Sequence, residues 1–392
     1  MTRRCLPRGL HDRSGVDRSP TRLPALFVAS EFCRRPGFGN GHPLSIPRVS
    51  AVLDLCEALG WLDAHTCRAP AAASSAELSA FHDPRYVEAL RSSDAAGRVA
   101  RELRERHRFG TFENPLFPGV FARAATAVGG SVLAAELALE GRAAFHPAGG
   151  THHGRRDRAS GFCFFNDPVF AIRRLLEGGV ERVLYVDLDA HHGDGVQDAF
   201  LDEPRVRFVS IHERDRWPYT GAVDDVGHGY ARNLPVPAGF NDSELAFLFD
   251  EVVLPLRDEF RPEAVVVTCG TDALAGDPLS GMALSNVALW DSVEQVIGST
   301  GPAVVLGGGG YNPWTLARCW TGLWGRLTGR QVPMELPRGA RLVLRALSCD
   351  LVEDEDVDPA WLAMLEDARR RGAVRAQVRE LASQGRVLHG VA

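Results

Sequence analysis

From residue 25 onward two hydrophobic patterns alternate along the chain. Short unbroken apolar runs are separated by longer stretches in which apolar residues recur every three or four positions. The first pattern reads as a strand buried on both faces, the second as an amphipathic helix. Six runs qualify as strands: ALFVAS from Ala25, AAFHPAGG from Ala143, VERVLYVDL from Val180, RVRFVSIH from Arg205, PEAVVVTCG from Pro262 and PAVVLGGGG from Pro302. Between them, SIPRVSAVLDLCEALGW, VFARAATAVGGSVLAAELALEG, NDPVFAIRRLLEGG, DSELAFLFDEVVLPLRDEF and LSNVALWDSVEQVIGST carry helical spacing, the second stopping at Gly141. Strands apolar throughout, alternating with helices, predict an α/β fold. In it a central parallel sheet carries helices on both faces.

The two ends read differently. Residues 1–22 are rich in Arg, Asp, Ser and Pro without periodicity and are expected to form a disordered basic tail. Residues 23–392 are expected to form one domain. Its part from about Met334, with EDEDVD and LEDARRRGAVRAQVREL, reads as a helical C-terminal appendage.

Composition narrows the partners. The net charge is −6, so the basic face that nucleic acid requires is not expected. No run is read as reaching the ~18 apolar residues of a membrane span, and no apolar signal core opens the chain. Eight cysteines lie scattered without CxxC pairs and read as reduced thiols, which points to a cytoplasmic protein.

The chemistry gathers where strands end. In such folds sites form beyond the carboxyl ends of the strands. There lie Thr151, His152 and His153; Asp187, Asp189, His191, His192 and Asp194; Thr271 and Asp272; and Tyr311 after four glycines. Residues two apart on a strand share a face, so Asp187, Asp189 and His191 would point one way if the extension persists. Such a cluster repels itself unless a cation is bound. Asp189, His191 and Asp272 would supply two carboxylates and one imidazole and leave a coordination position open. The adjacent pair His152 and His153 suits acid/base work, with Asp187 and Asp194 as orienting carboxylates. The glycines before Tyr311 would let its hydroxyl approach as an oxyanion donor.

Four ordered motifs, GGTHHGRRDRASGFCFFND, YVDLDAHHGDGVQDAF, GTDALAGDP and GGGGY, resemble the zinc-dependent histone deacetylase family. Among bacterial members they are similar to the acetoin-utilisation deacetylases. The resemblance implies a single-domain arginase/deacetylase-type fold with a parallel sheet of about eight strands. It implies removal of acetyl groups from acetyl-lysine or related amines, with release of acetate. One catalytic zinc would sit on Asp189, His191 and Asp272. His153 would act as base and acid, His152 and His153 being held by Asp187 and Asp194, and Tyr311 would polarise the carbonyl. Gly161 and Phe162 would wall the acetyl channel, with Trp217 opposite, where the family more often has Phe. Leu279 would lie at the rim, and Glu113 would grip the substrate backbone. A structural potassium would use main-chain oxygens of Asp187, Asp189, His191, Ser210 and Ile211, and a second one oxygens near Phe200 and Val206.

Three other readings compete. Deacetylation of acetylpolyamines fits the same chemistry, although the family's polyamine enzymes carry an acid where this chain has Leu279. A binuclear manganese site of arginase type would need carboxylates at the positions of His153 and Tyr311. A nucleotide-binding module could use GGGG, but GxGxxG is missing at the first strand–helix turn. The oligomeric state is left open.

Overall fold

A computed structural model describes residues 23–35, 37–298 and 301–387. The expected disordered tail, residues 1–22, lies outside them. Eight strands form one sheet: β1 (Leu23–Val28), β2 (Cys67–Arg68), β3 (Arg142–His146), β4 (Val183–Asp187), β5 (Val206–Glu213), β6 (Ala231–Val236), β7 (Ala264–Thr268) and β8 (Ala303–Leu306). Their order is β2-β1-β3-β8-β7-β4-β5-β6, and every pairing is parallel. All six runs read as strands are strands. The two others are a two-residue edge and a strand containing Asn233 and Pro235.

The unbroken apolar runs are explained by the packing. Leu184 and Val186 enter one core cluster, and Val183 and Tyr185 enter the other, across the sheet. Each such buried side chain stabilises the fold by roughly 1.5–3 kcal/mol relative to exposure. Helices cover both faces. Val120–Leu139, twenty residues with a hydropathy of 1.3, is long and apolar enough to cross a membrane, contrary to the sequence reading. Here it packs on β3 and the Asp167–Glu177 helix as a core element. The stretch Asp242–Phe260 is helical as expected, with a π turn over Phe249–Val253 just ahead of Pro255. That proline has no N–H to continue the regular ladder.

The segment from Met334 is less helical than expected. Helix occupies Arg338–Arg345 and Ala376–Val387, with short 3₁₀ turns and irregular chain between. It is also less of an appendage. Leu336, Ala340, Leu344, Leu365, Val378 and Leu381 belong to the larger core cluster. Buried Glu244 accepts from the Arg375 main chain at 3.0 Å and from its guanidinium at 2.7 Å, which draws the last helix onto the domain.

The sheet also sets the site. Strand register brings His146, Leu306, Thr268, Asp187 and Ser210 level across β3, β8, β7, β4 and β5. The chain passes from β3 to β4 across a gap that β7 and β8 fill later. The loops leaving these five neighbouring strands therefore converge over one place, as expected where winding direction reverses.

Candidate active site

Asp189, His191 and Asp272 are buried, and their ligand atoms all lie within 4.8 Å of one another. Asp272 leaves β7 on a short 3₁₀ turn, Thr271–Ala273. Its Oδ1 accepts from Ala190 N at 3.0 Å, and its Oδ2 meets His191 Nδ1 at 2.9 Å. Asp189 Oδ2 accepts from Gly309 N at 2.5 Å. The glycine run after β8 is needed for this approach: a Cβ on Gly309 would stand 2.0 Å from Asp272 Oδ2. Its amide thus serves a carboxylate of the triad, which removes the phosphate-cradle reading of GGGG.

The donor set fits a divalent cation. Burial and the Asp189 charge push the Asp272 carboxyl up to about 6, because two carboxylates this close resist joint ionisation. Burial disfavours a charged His191, yet Asp189 and Asp272 raise it to about 10. The protein alone balances the two carboxylates with a proton on His191. A metal ion replaces that proton with a larger charge, and two oxygens with one nitrogen suit zinc or another first-row ion.

The shared-face reading is corrected for Asp187. β4 ends at Asp187, and the chain then turns as Asp189 N donates to Asp187 Oδ1 and His191 N to Asp189 Oδ1. Extension stops, so Asp187 turns to His152 instead. Its Oδ2 meets His152 Nδ1 at 2.7 Å and accepts from Tyr185 Oη at 2.9 Å. Burial opposes a charged His152, but Asp187 and Asp189 raise it to about 9.

His153 is placed differently. Its Nδ1 meets Asp194 Oδ1 at 2.8 Å, and Arg155 Nη2 donates to Asp194 Oδ2. Burial and the neighbouring His152 charge depress His153 to about 3. An ionised carboxylate only accepts, so Nδ1 carries the proton and Nε2 is bare. The two adjacent histidines are thus shifted in opposite directions. Arg155, which shares Asp194, was missed by the sequence reading, where it was one arginine among several in GRRDR.

A pocket of about 430 Å³ leads to this group, lined by Glu113, His153, Gly161, Phe162, His191, Trp217, Leu279 and Tyr311, with Asp215, Arg216 and Tyr219 at its loops. Every channel residue expected from the sequence lines it. The Trp217 ring lies 4.6 Å from His153, centroid to centroid. It occupies the space over Gly161, where a Cβ would meet it at 2.3 Å, and Gly161 also has φ +54°. Phe162 packs 5.9 Å from Tyr311. Glu113 braces the pocket wall, since its Oε1 accepts from Gly161 N at 2.6 Å. At the inner end, Tyr311 borders a space of about 50 Å³ shared with His152, His153, Asp189 and Gly308. Arg48 also borders it, half-buried, with Nη2 donating to Gly308 O and its charge 5.2 Å over Trp320. No motif marked Arg48.

A family model described as the histone deacetylase domain matches residues 42–327. Histone deacetylase 8 of Danio rerio is 38% identical over 333 residues, 83% of this chain and 86% of that protein. Acetoin utilization protein AcuC of Bacillus subtilis (strain 168) is 33% identical over 80% of this chain and 84% of that protein. The crystal structure of an HDAC homologue from Aquifex aeolicus superposes with a TM-score of 0.88 at 36% identity. It covers 93% of this chain and 100% of that one. With this likeness running through most of both chains, the protein belongs to the histone deacetylase family and is a deacetylase hydrolase.

Proposed function

We propose that the protein is a zinc-dependent deacetylase of acetylated lysine side chains. The observation that carries the reading is the pairing of a bare, buried His153 with the Asp189–His191–Asp272 group at the end of one pocket. Zinc, when bound by these three residues, supplies Lewis-acid polarisation of the carbonyl and a more acidic water. His153 Nε2 takes the proton of the attacking water. The carbonyl carbon gains the C–O bond and its oxygen becomes anionic. Tyr311 donates its hydroxyl to that oxygen; burial and the nearby aspartates raise its pKa, so the proton stays on it. His153 then gives its proton to the leaving nitrogen as the C–N bond breaks, yielding acetate and a free amine. Phe162 and Trp217 flank the apolar stem and exclude water. A structural potassium at main-chain oxygens of Asp187, Asp189, His191, Ser210 and Ile211 belongs to the same proposal. It is supported by the pairing of Asp187 with Ser210 across β4 and β5.

The substrate test compares kcat/KM for an acetyl-lysine peptide, acetylated polyamines and longer acyl-lysine peptides. Leu279 at the pocket offers no charge to a polyamine tail, so the acetyl-lysine peptide is expected to lead. A tenfold or greater preference for acetylpolyamines, about 1.4 kcal/mol, would transfer the assignment to them.

Tyr311→Phe keeps the ring against Phe162 and removes one donor. The expected loss is about 10²–10³ in kcat with KM nearly unchanged, because the charge develops only in the transition state. A variant keeping about a third of the wild-type rate leaves Tyr311 a packing residue.

A further inference from the structure

Two loops at the pocket mouth are joined through one arginine. Glu213, buried at the end of β5, and Arg216 form a two-point ion pair, Nε to Oε2 at 2.5 Å and Nη2 to Oε1 at 3.0 Å. The remaining donor, Nη1, reaches Leu279 O at 2.7 Å. Glu213 Oε2 also accepts from Gly281 N at 2.7 Å. On the far side of the same loop, Asp277 accepts from Leu279 N at 2.9 Å and from Tyr311 N at 2.7 Å. Leu279 thus has its N–H held by Asp277 and its C=O held by Arg216. Among the described residues it makes no main-chain to main-chain hydrogen bond. These two side chains therefore carry the hydrogen bonding of the Leu279 backbone.

We propose that Arg216 is a positioning residue, held by Glu213, that sets the Leu279 wall of the pocket and so decides how tightly the substrate stem is gripped. The inference rests on the pocket being the substrate channel. Its physical basis is the guanidinium fork: three donors in one plane serve a carboxylate and a carbonyl at once, which a point-charge ammonium does less well. The Glu213 charge is spent on Arg216, so the pair fixes position without offering a net charge to the stem. Leu279, one residue past Pro278, then faces the stem as an uncharged wall while Trp217, on the Arg216 loop, forms part of the pocket lining. Because Asp277 ties Leu279 to the backbone of Tyr311, the wall and the tyrosine share an anchor on the inner side. Arg216 supplies the outer one.

The test is a double-mutant cycle on an acetyl-lysine peptide, joined to hydrogen exchange. Arg216→Ala is expected to raise KM about fivefold and to change kcat less than about twofold, the signature of lost uniform binding. Arg216→Lys, which keeps the charge on a single nitrogen but loses the planar fork, is expected to recover part of that loss. In a Leu279→Ala background the added Arg216→Ala should change KM less than about twofold, because residues acting through one wall are not additive. Amides of Leu279 and Gly281 should exchange faster in Arg216→Ala, with the melting temperature near that of wild type. Exchange reads the placement without any turnover. A protein inactive on acetyl-lysine peptides therefore overturns the substrate reading alone, while exchange still decides the role of Arg216. Unchanged exchange, a fully additive cycle, or a kcat loss at constant KM would each overturn the role given to Arg216.

Discussion

Asp272→Asn protein is expected to hold less than about a tenth of an equivalent of divalent metal, where wild type holds one. The substitution is nearly isosteric. Asn keeps an oxygen for Ala190 N, which donates to Asp272 Oδ1 at 3.0 Å, so the loop after β7 keeps its main-chain anchor. What goes is one of two carboxylates in a buried set of three donors. Even partners that only orient a ligand typically cost about 10–100-fold in metal affinity, and a ligand itself costs more. The electrostatics point the same way. Asp272 sits at about 6, and His191 is raised by Asp272 and Asp189 together, so the set is built to hold positive charge. With one carboxylate gone, much of that pull is lost. Metal analysis after dialysis against metal-free buffer reads this directly. Hydrolysis should be abolished with it, and removal of metal from wild type by a chelator should match the variant. Full occupancy in Asp272→Asn, or full activity in rigorously metal-free wild type, sinks the assignment. Reconstitution with zinc, iron(II) and cobalt(II) in turn identifies the preferred ion, since two oxygens and an imidazole accept all three.

Much of the architecture was legible because burial on both sheet faces writes itself into the sequence as unbroken apolar runs. β4 and β7 are buried at every position. Other elements left no such record. The Pro313–Leu327 helix went unread because every residue from Pro313 to Gly325 is buried, so no polar face marks a helical period. Its only local signals were the Asn312 cap, whose Oδ1 accepts from Trp314 N and Thr315 N, and Pro313 in the first turn. β6 was hidden by Asn233 and Pro235, which fit an edge strand. The site divides in the same way. Ligands and histidines were legible as polar clusters at strand ends. Their directions were not, since a period-2 rule holds only while the strand lasts and β4 stops at Asp187. Asp277, Arg155, Arg48, Glu213 and Arg216 each reach a partner tens to hundreds of positions away. Spacing along one chain carries no trace of them.

His153→Ala is expected to lower kcat by about 10²–10⁴ while KM stays within a few-fold of wild type, because proton transfer is where a general base and acid contributes. The structure explains why His153, and not its neighbour, fills that role. Both rings are buried and both face a carboxylate, yet one is raised to about 9 and the other depressed to about 3. The difference lies in the partners. Asp187 and Asp189 both act on His152, whereas Asp194 divides its charge between His153 and Arg155. The charged His152 ring, 3.9 Å away, then disfavours a second cation. His153 is left with a bare Nε2 facing the pocket, able to accept a proton. Once protonated it is an imidazolium in a site that resists it, so it readily returns the proton to the departing amine. Desolvation therefore serves both halves of the reaction. His152→Ala should be the milder change, with a kcat loss at least about tenfold smaller, because its contribution is the field it exerts. It should also shift the acid limb of the rate profile toward higher pH, since the charge that depresses His153 is removed. Measured kcat, KM and pH profiles for the two alanine variants decide the matter. Equal losses, or a larger loss for His152→Ala, would replace the single-histidine assignment with a relay through both rings.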